Sequence, residues 1–347
     1  MTTDKEILEL VGRMLMIGLN GENFSRETRE LLLDVRPGGI ILFKRNVGGG
    51  PAQVASLINS CQEISMNEFG RPLLTAIDQE GGPVRRLDPP FSVLPSQREM
   101  AEKLDQDEVR VLSSKSGREL AAVGINLNLA PVLDMLTEEQ ATFMAERSFG
   151  PDPEVTAKLG EAVIDGHAEH GVLTCAKHFP GIGDVHQDPH RELPTVSQPA
   201  ERLRDVEILP FRRAIEHGVA GVMTAHVNFT AFDSDWPGTL SRKILTELLR
   251  DELGFAGLIL TDDMEMGAVT ENYQIGPAAV RAVRAGADII LICHRADRIR
   301  EAREALLEAF RSGQIGKKRL EATSARLDKI YKKLPEPDPA SWEKIFK

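Results

Sequence analysis

The chain is predicted to fold as an α/β protein, a single-domain (β/α)8 TIM-type barrel. Three observations predict it: short apolar runs alternate with longer amphipathic runs, eight apolar runs can be counted, and polar residues follow many of them. The amphipathic runs are long enough to connect parallel strands by right-handed crossovers. A doubly wound open sheet would also alternate in this way. No Gly-x-Gly-x-x-Gly follows the first strand, however, so the barrel is favoured.

The elements follow from these apolar and amphipathic runs. The eight predicted strands are residues 13–18, 39–43, 73–77, 125–129, 172–177, 221–225, 258–261 and 288–293. The runs that predict helices include residues 52–69, 108–123, 155–170, 199–217 and 241–253. No linker or low-complexity tract divides the chain before a proline-rich stretch near its end. We therefore expect a barrel domain over residues 1–335 and a C-terminal tail over residues 336–347.

Composition limits the partners that the protein is expected to have. The chain has 347 residues, with 42 Lys and Arg against 53 Asp and Glu, and a net charge of −11. This balance and the lack of a long basic run argue against nucleic acid and anionic membrane as partners. The longest apolar runs are too short to cross a bilayer. Three cysteines without metal-finger spacing and an N-terminus without signal-peptide features predict a cytoplasmic protein with reduced thiols, and a monomer is favoured.

The densest group of titratable residues in the chain extends from Lys177, the last residue of the predicted strand 172–177, to His190. One interpretation is a metal site, in which His186, Asp188 and His190 bind zinc or iron from one face of an extended segment. A second is proton transfer, in which Asp188 orients His190 and raises its pKa so that a proton is available near neutrality. A third is that these are ordinary strand-end and turn residues. The density of the group argues against this last interpretation.

Other candidate residues follow other predicted strands. Asp78 and Arg86 flank a Gly-Gly pair whose tight turn could bring them to one cavity, although a helix cap with surface charges would look the same. Arg147 could bind a substrate oxygen, or it could be a solvated surface arginine. Asp262 follows the strand 258–261, where a carboxylate could attack an anomeric carbon opposite a proton donor. Asp262 or the adjacent Asp263 could equally cap the next helix, and periodicity does not decide which of them faces inward.

Five ordered motifs resemble those of family 3 glycoside hydrolases, and more narrowly the bacterial single-domain β-N-acetylglucosaminidase branch. They are Asp78-Gln79-Glu80-Gly81-Gly82, Arg147-Ser148-Phe149-Gly150, Lys177-His178-Phe179-Pro180-Gly181, Asp188-x-His190 and Thr261-Asp262-Asp263-Met264. The resemblance extends from about Val11 to Phe310. It implies a (β/α)8-type barrel and a retaining double displacement.

The resemblance also assigns roles to individual residues of this chain. It implies that Asp262 is the nucleophile, that His190 is the acid/base and that Asp188 orients His190. It places the terminal sugar on the remaining matched positions, which are Asp78, Arg86, Arg147, Lys177 and His178. One departure is Ile182, which stands where many relatives have histidine. The exchange removes a donor and an acceptor near the site.

Together these observations predict a retaining exo-β-N-acetylglucosaminidase that removes terminal N-acetylglucosamine from peptidoglycan-derived fragments during cell-wall recycling, without cofactor or metal. Other interpretations stay open. A β-glucosidase, a β-xylosidase or a glycoside phosphorylase would keep Asp262 and change the sugar or the acceptor. A metal-dependent barrel hydrolase would need bound metal. A non-catalytic sugar-binding barrel would bind without turnover.

Overall fold

The protein is described by a computed structural model over residues 4–136, 143–182, 185, 192–336 and 338–347. Within these residues, eight parallel strands close into a barrel in the order in which they occur along the chain. The barrel strands are β1 (Leu15–Gly18), β2 (Gly39–Leu42), β3 (Leu74–Ile77), β4 (Leu127–Asn128), β5 (Leu173–Phe179), β7 (Gly221–Thr224), β9 (Leu258–Asp263) and β10 (Ile289–Ile292). Strands β6 (Thr195–Val196) and β8 (Asn228–Phe229) pair with each other in a separate two-stranded parallel sheet. The predicted fold class is confirmed.

Helices connect the barrel strands. The α-helices are Asp4–Arg13, Arg26–Val35, Gly50–Phe69, Gln97–Lys103, Gln106–Ala122, Pro153–Ala168, Ala200–Arg202, Leu209–Glu216, Gly267–Thr270, Ile275–Ala285, Ala296–Arg311, Lys317–Tyr331 and Glu343–Phe346. The described residues also form two 3-10 segments, Lys44–Asn46 and Gly238–Leu240, and two π-helical segments, Leu203–Glu207 and Lys243–Glu252.

The helix predicted over residues 199–217 is interrupted. A π-helical segment ends at Glu207, and a new α-helix starts at Leu209 with Pro210 in its first turn. Proline has no N–H to donate to the preceding turn, and it is well tolerated at the start of a helix. The continuous amphipathic pattern of residues 199–217 therefore did not predict that the helix is interrupted after Glu207.

The core has two layers because the barrel strands are buried on both faces. Side chains that point into the barrel form one cluster, with Met16, Ile41, Leu74, Leu127, Cys175, Met223, Leu260 and Leu291 among its members. Alternate side chains of the same strands pack against the surrounding helices, as Ile17, Ile40, Ile77, Val222, Ile259 and Ile290 do. Because the strands are buried on both faces, they appear in the sequence as unbroken apolar runs.

Two strands extend further than the sequence predicted. Strand β5 continues through Lys177 and His178 to Phe179, and β9 continues through Asp262 to Asp263. Lys177 pairs with Val132, and Asp263 pairs with Leu291 after a register shift. The prediction that His178, Asp262 and Asp263 follow their strands was wrong, whereas Lys177 lies in β5 as predicted. Backbone pairing with a neighbouring strand holds them in place at the carboxyl end of the barrel.

The C-terminal residues lie against the outside of the barrel. Ser341 donates to the carbonyl oxygen of Ala122 (2.9 Å), and Phe346 packs edge-on against Phe91. The division of the chain at residue 335 into a barrel and a tail stays a prediction. None of the described helices combines the length and the apolar character needed to span a bilayer.

Candidate active site

A cavity of about 430 Å³ opens at the carboxyl ends of the barrel strands. This is the end of the barrel where enzymes of this architecture place their active sites. Six residues that were predicted from the sequence line the cavity, namely Asp78, Arg86, Arg147, Lys177, His178 and Asp262. Asp188 and His190, the predicted acid/base pair, lie outside the described residues, as does His186 of the alternative metal site.

Asp78 joins two cations in the cavity wall. Its carboxylate oxygens lie 2.8 Å from Nζ of Lys177 and 2.9 Å from Nη2 of Arg86. The turn between Asp78 and Arg86 depends on Gly81, which has φ +105°. A Cβ at this position would lie 2.4 Å from the carbonyl oxygen of Pro95. Glycine is therefore required to bring Arg86 back to Asp78.

Glu80 is a buried residue of the site that the sequence analysis quoted in a motif but did not select. Its carboxylate receives two parallel hydrogen bonds from Arg147, both 2.9 Å long, and lies 2.7 Å from Nζ of Lys177. Burial opposes its ionisation, but the charges of Arg147 and Lys177 outweigh burial and lower the pKa of Glu80 to about 2. Its position two residues after Asp78 was the available signal.

Asp262 presents its carboxylate to the cavity with its side chain 23% exposed. One oxygen accepts the backbone N–H of Asp263 (2.8 Å), and the other lies 3.9 Å from Nε2 of His178. Burial opposes ionisation, but influences that include the hydrogen bond from the Asp263 backbone and the positive charge of Lys177 more than compensate and lower the pKa of Asp262. The result is an ionised carboxylate that accepts one backbone hydrogen bond from the described residues, which suits a nucleophile.

The adjacent Asp263 is engaged differently. Its carboxylate accepts the backbone N–H of Glu265 (3.0 Å) and lies 3.2 Å from Nε2 of His294. It therefore stabilises the turn after β9, close to the capping role considered for it. Its backbone carbonyl is 3.0 Å from Nε2 of His226, whose pKa burial lowers. Because a carbonyl only accepts, this contact requires the ring to donate from Nε2.

Asp134 binds the Nδ1 side of the His178 ring, and it is a second residue of the site that was not among the candidates from the sequence. Nδ1 of His178 lies 2.6 Å from a carboxylate oxygen of Asp134, which is fully buried. The two residues are 44 positions apart in sequence. No local pattern could have paired them.

Phe43 and His294 line another part of the cavity. Phe43 and His294 pack with ring centroids 5.2 Å apart, and the Arg45 guanidinium lies over the Phe43 ring at 4.6 Å. Nη1 of Arg45 lies 3.1 Å from Nδ1 of His294. The Arg86 guanidinium also lies over the Phe43 ring, 5.6 Å from its centroid, so these rings adjoin the charged cluster around Asp78. A mixture of charged and aromatic groups fits a ligand with both polar and apolar faces.

Comparison with known proteins identifies the family. Residues 2–330 match the family described as the glycosyl hydrolase family 3 N-terminal domain. The chain belongs to glycosyl hydrolase family 3. The fold of this family 3 chain is thus that of a family of glycoside hydrolases, as the sequence motifs indicated.

Individual relatives of this family 3 chain agree in their names. A beta-hexosaminidase from Alkalilimnicola ehrlichii is 36% identical over 291 residues, which cover 82% of the chain and 82% of that protein. Beta-hexosaminidase A from Pseudoalteromonas piscicida is 34% identical over 333 residues, covering 89% of the chain and 56% of that protein.

The solved structures that resemble the chain have similar names. A family 3 beta-N-acetylglucosaminidase from Paenibacillus sp. FPU-7 superposes with a TM-score of 0.92 at 41% identity, over 94% of the chain and 62% of that structure. A beta-N-acetylhexosaminidase from Beutenbergia cavernae superposes with a TM-score of 0.88 at 29% identity, over 94% of the chain and 98% of that structure. The chain therefore spans only part of the Pseudoalteromonas and Paenibacillus proteins and nearly all of the Beutenbergia one.

Proposed function

We propose that this protein is a retaining exo-β-N-acetylglucosaminidase that acts on terminal β-linked N-acetylglucosamine of peptidoglycan-derived muropeptides. One observation carries the proposal: the ionised carboxylate of Asp262, which accepts the backbone N–H of Asp263, faces the cavity that Asp78, Arg86, Arg147 and Lys177 also line. Charged groups of this kind bind sugar hydroxyls, while the carboxylate is available to the anomeric carbon. The names of the relatives support N-acetylglucosamine as the sugar.

The proposed reaction proceeds in two displacements. In the first, an oxygen of Asp262 forms a bond to C1, the bond from C1 to the leaving oxygen breaks, and His190 gives its proton to that oxygen. In the second, water attacks C1, the ester bond to Asp262 breaks, and neutral His190 takes the proton of the water. Asp188 orients the ring in both steps. The configuration at C1 is retained.

The cellular setting of the proposal is cytoplasmic cell-wall recycling, and the expected substrate is a muropeptide with a free terminal sugar. The proposal includes no metal and no cofactor. Phosphate in place of water as the acceptor would make the enzyme a phosphorylase. Parallel assays with and without phosphate separate the two outcomes, since only phosphorolysis yields the sugar 1-phosphate.

The decisive experiment traps the covalent intermediate. A 2-fluoro glycoside with a good leaving group should leave one sugar attached to the peptide that contains Asp262, as detected by mass spectrometry. The Asp262→Asn variant is the control and should carry no label. Turnover of substrate without a trapped sugar, or a sugar on another residue, would contradict the proposed nucleophile.

Two substitutions test the division of roles. Asp262→Asn should lower kcat at least about 10⁴-fold on every substrate, because the amide cannot form the intermediate. His190→Ala should slow poor leaving groups far more than activated aryl glycosides, which need little protonation. An equal loss on both kinds of substrate would exclude His190 as the acid.

A further inference from the structure

Asp134 lies where three segments of the cavity wall meet. It follows β4 and is fully buried. One carboxylate oxygen accepts the backbone N–H of Ile182 (2.8 Å), and the other lies 2.6 Å from Nδ1 of His178. The backbone N–H of His178 also donates to this carboxylate, and the carbonyl oxygen of Asp134 accepts from the Ser148 hydroxyl (2.7 Å). Ser148 is adjacent to Arg147, so Asp134 connects the segment that carries Arg147 to the end of β5.

We infer that Asp134 is a positioning residue that keeps a proton on Nδ1 of His178 and so leaves Nε2 as an acceptor for a sugar hydroxyl beside Asp262. This inference rests on the proposed function for the identity of the ligand, and on the contacts of Asp134 for the state of the ring.

The proton assignment follows from what each group can do. A carboxylate can only accept, and Asp134 is surrounded by the two backbone N–H groups and the ring nitrogen of His178. Nδ1 must therefore carry the proton in this contact. In the neutral ring, Nε2 then has a lone pair, and it is the ring nitrogen that faces Asp262, at 3.9 Å.

The tautomer of His178 matters because Nε2 faces the Asp262 carboxylate. With a proton on Nε2, the ring would have a donor aimed at the Asp262 carboxylate and would occupy a lone pair that the nucleophile needs. With the proton on Nδ1, Nε2 instead accepts from a hydroxyl of the bound sugar. Asp134 thus keeps the donor on the side of the ring away from the reacting carbon.

The same carboxylate fixes the start of a functional segment. Ile182 is the last residue before the described part of the chain is interrupted, and Asp188 and His190 follow it in sequence. Because Asp134 holds both His178 and the N–H of Ile182, it fixes the chain at the end of β5 and at Ile182.

The Asp134→Asn substitution separates the effect of Asp134 on the His178 ring from its hydrogen bond with the N–H of Ile182. Its retained oxygen can still accept the N–H of Ile182, but its amide nitrogen would then face Nδ1 of His178 as a second donor. A backbone N–H cannot move its proton, whereas an imidazole can change tautomer. We therefore expect the variant to keep the segment anchored and to transfer the His178 proton to Nε2.

The direct test is the nitrogen NMR spectrum of histidine-labelled protein, recorded without ligand at about pH 8.5, where an ordinary imidazole is neutral, with His178 assigned from the His178→Gln variant. We expect Nδ1 protonated and Nε2 unprotonated in the native protein, and the reverse in Asp134→Asn. An imidazolium or an Nε2–H ring in the native protein overturns the inference. This readout does not depend on turnover, so it stands apart from any failure of the proposed function, which the assay of the native enzyme reveals by itself.

Kinetics supply the second test. Asp134→Asn should lower kcat/KM roughly 100-fold or more, as loss of a ring-orienting carboxylate does elsewhere. Because the effect passes through the ring, adding Asp134→Asn to His178→Gln should cost little further activity. Additive losses in this double-variant cycle overturn the inference.

Asp233→Asn is the matched control. Asp233 is also buried, and it accepts from the Ser241 hydroxyl and the N–H of Asp235, neither of which lines the cavity. Its substitution should reduce stability while leaving kcat/KM and the His178 resonances unchanged. A comparable loss of kcat/KM in the control would mean that Asp134 has only a structural role.

Discussion

Glu80 shows at the scale of one residue how the cavity keeps its cations in place. It is 1% exposed and is shared by Arg147 and Lys177, and Lys177 is shared in turn with Asp78. Burying these charges is costly unless each has a partner, and a bidentate arginine pair is the strongest partner available. The two cations can be directed at a substrate because Glu80 satisfies their other sides.

Replacing Glu80 with Gln should therefore release Arg147 from its fixed position. A carboxamide cannot accept two parallel bonds from a guanidinium, and it removes the charge opposite Lys177. We expect kcat/KM for an aryl N-acetylglucosaminide to fall about 10- to 100-fold, mainly through KM, together with a lower melting temperature.

Glu119→Gln provides the comparison for this loss. Glu119 is buried away from the cavity and accepts from the backbone N–H and the hydroxyl of Ser92. This variant should lose stability without a change in KM. An unchanged KM in Glu80→Gln as well would show that Glu80 does not position Arg147 for substrate.

At the scale of elements, the ends of the strands and the turns that follow them build the site. The turn from Asp78 to Arg86 shows this, since Gly81 combines φ +105° with close contact to Pro95. Residues with a Cβ rarely adopt such a φ, and here the Cβ would also collide with backbone. The conformation of one glycine thus determines whether Arg86 reaches Asp78.

Gly81→Ala should then weaken both stability and substrate binding. The control is Gly218→Ala, because Gly218 has φ +88° but a Cβ added there would meet nothing within 4 Å. Backbone strain alone should cost the control about 1 kcal/mol in unfolding free energy, as measured by urea denaturation, with no change in KM. Gly81→Ala should lose more stability and show a raised KM. Equal effects in the two variants would mean that the contact with Pro95 is unimportant.

The elements also show which parts of the fold could be predicted from the sequence. All eight barrel strands were predicted because double burial leaves continuous apolar runs such as the one in β10. The ends of β5 and β9 were not predicted, since His178, Asp262 and Asp263 are polar residues that continue their strands, and Asp263 pairs with Leu291. Asp134 was missed for a different reason: its role depends on a partner 44 residues away, which exists only once the barrel closes.

For the molecule as a whole, one buried carboxylate joins the barrel to its last long helix. Asp288 precedes β10, accepts the backbone N–H of Ile259 (3.0 Å), and is fully buried among Arg250, Arg319 and Arg326. Burial opposes its ionisation, but the three arginines outweigh burial and lower the pKa of Asp288. Two of these arginines belong to the helix Lys317–Tyr331, so the cluster fastens that helix to the barrel.

Asp288→Asn should destabilise the protein by about 3–5 kcal/mol at pH 7, because it leaves three cations without a buried partner. The folded pKa lies below the unfolded value of about 3.9, so the contribution of Asp288 is complete above that pH and declines as pH falls through the folded pKa. Urea denaturation at pH 7 and pH 3 should therefore show the native protein and the variant converging in acid. A constant difference would argue against an ionised Asp288 in the folded state.

The three cysteines offer a practical consequence of the closed barrel. Cys61, Cys175 and Cys293 are free thiols, all buried, and burial raises the pKa of each, to about 12 for Cys61. Alkylating reagents attack thiolates, so iodoacetamide will modify this protein only when a sector of it opens. Cys61 lies on an outer helix, Cys175 lies in β5, and Cys293 directly follows β10, which is three strands from β5 around the barrel. The order in which they are alkylated would record which part of the structure opens first.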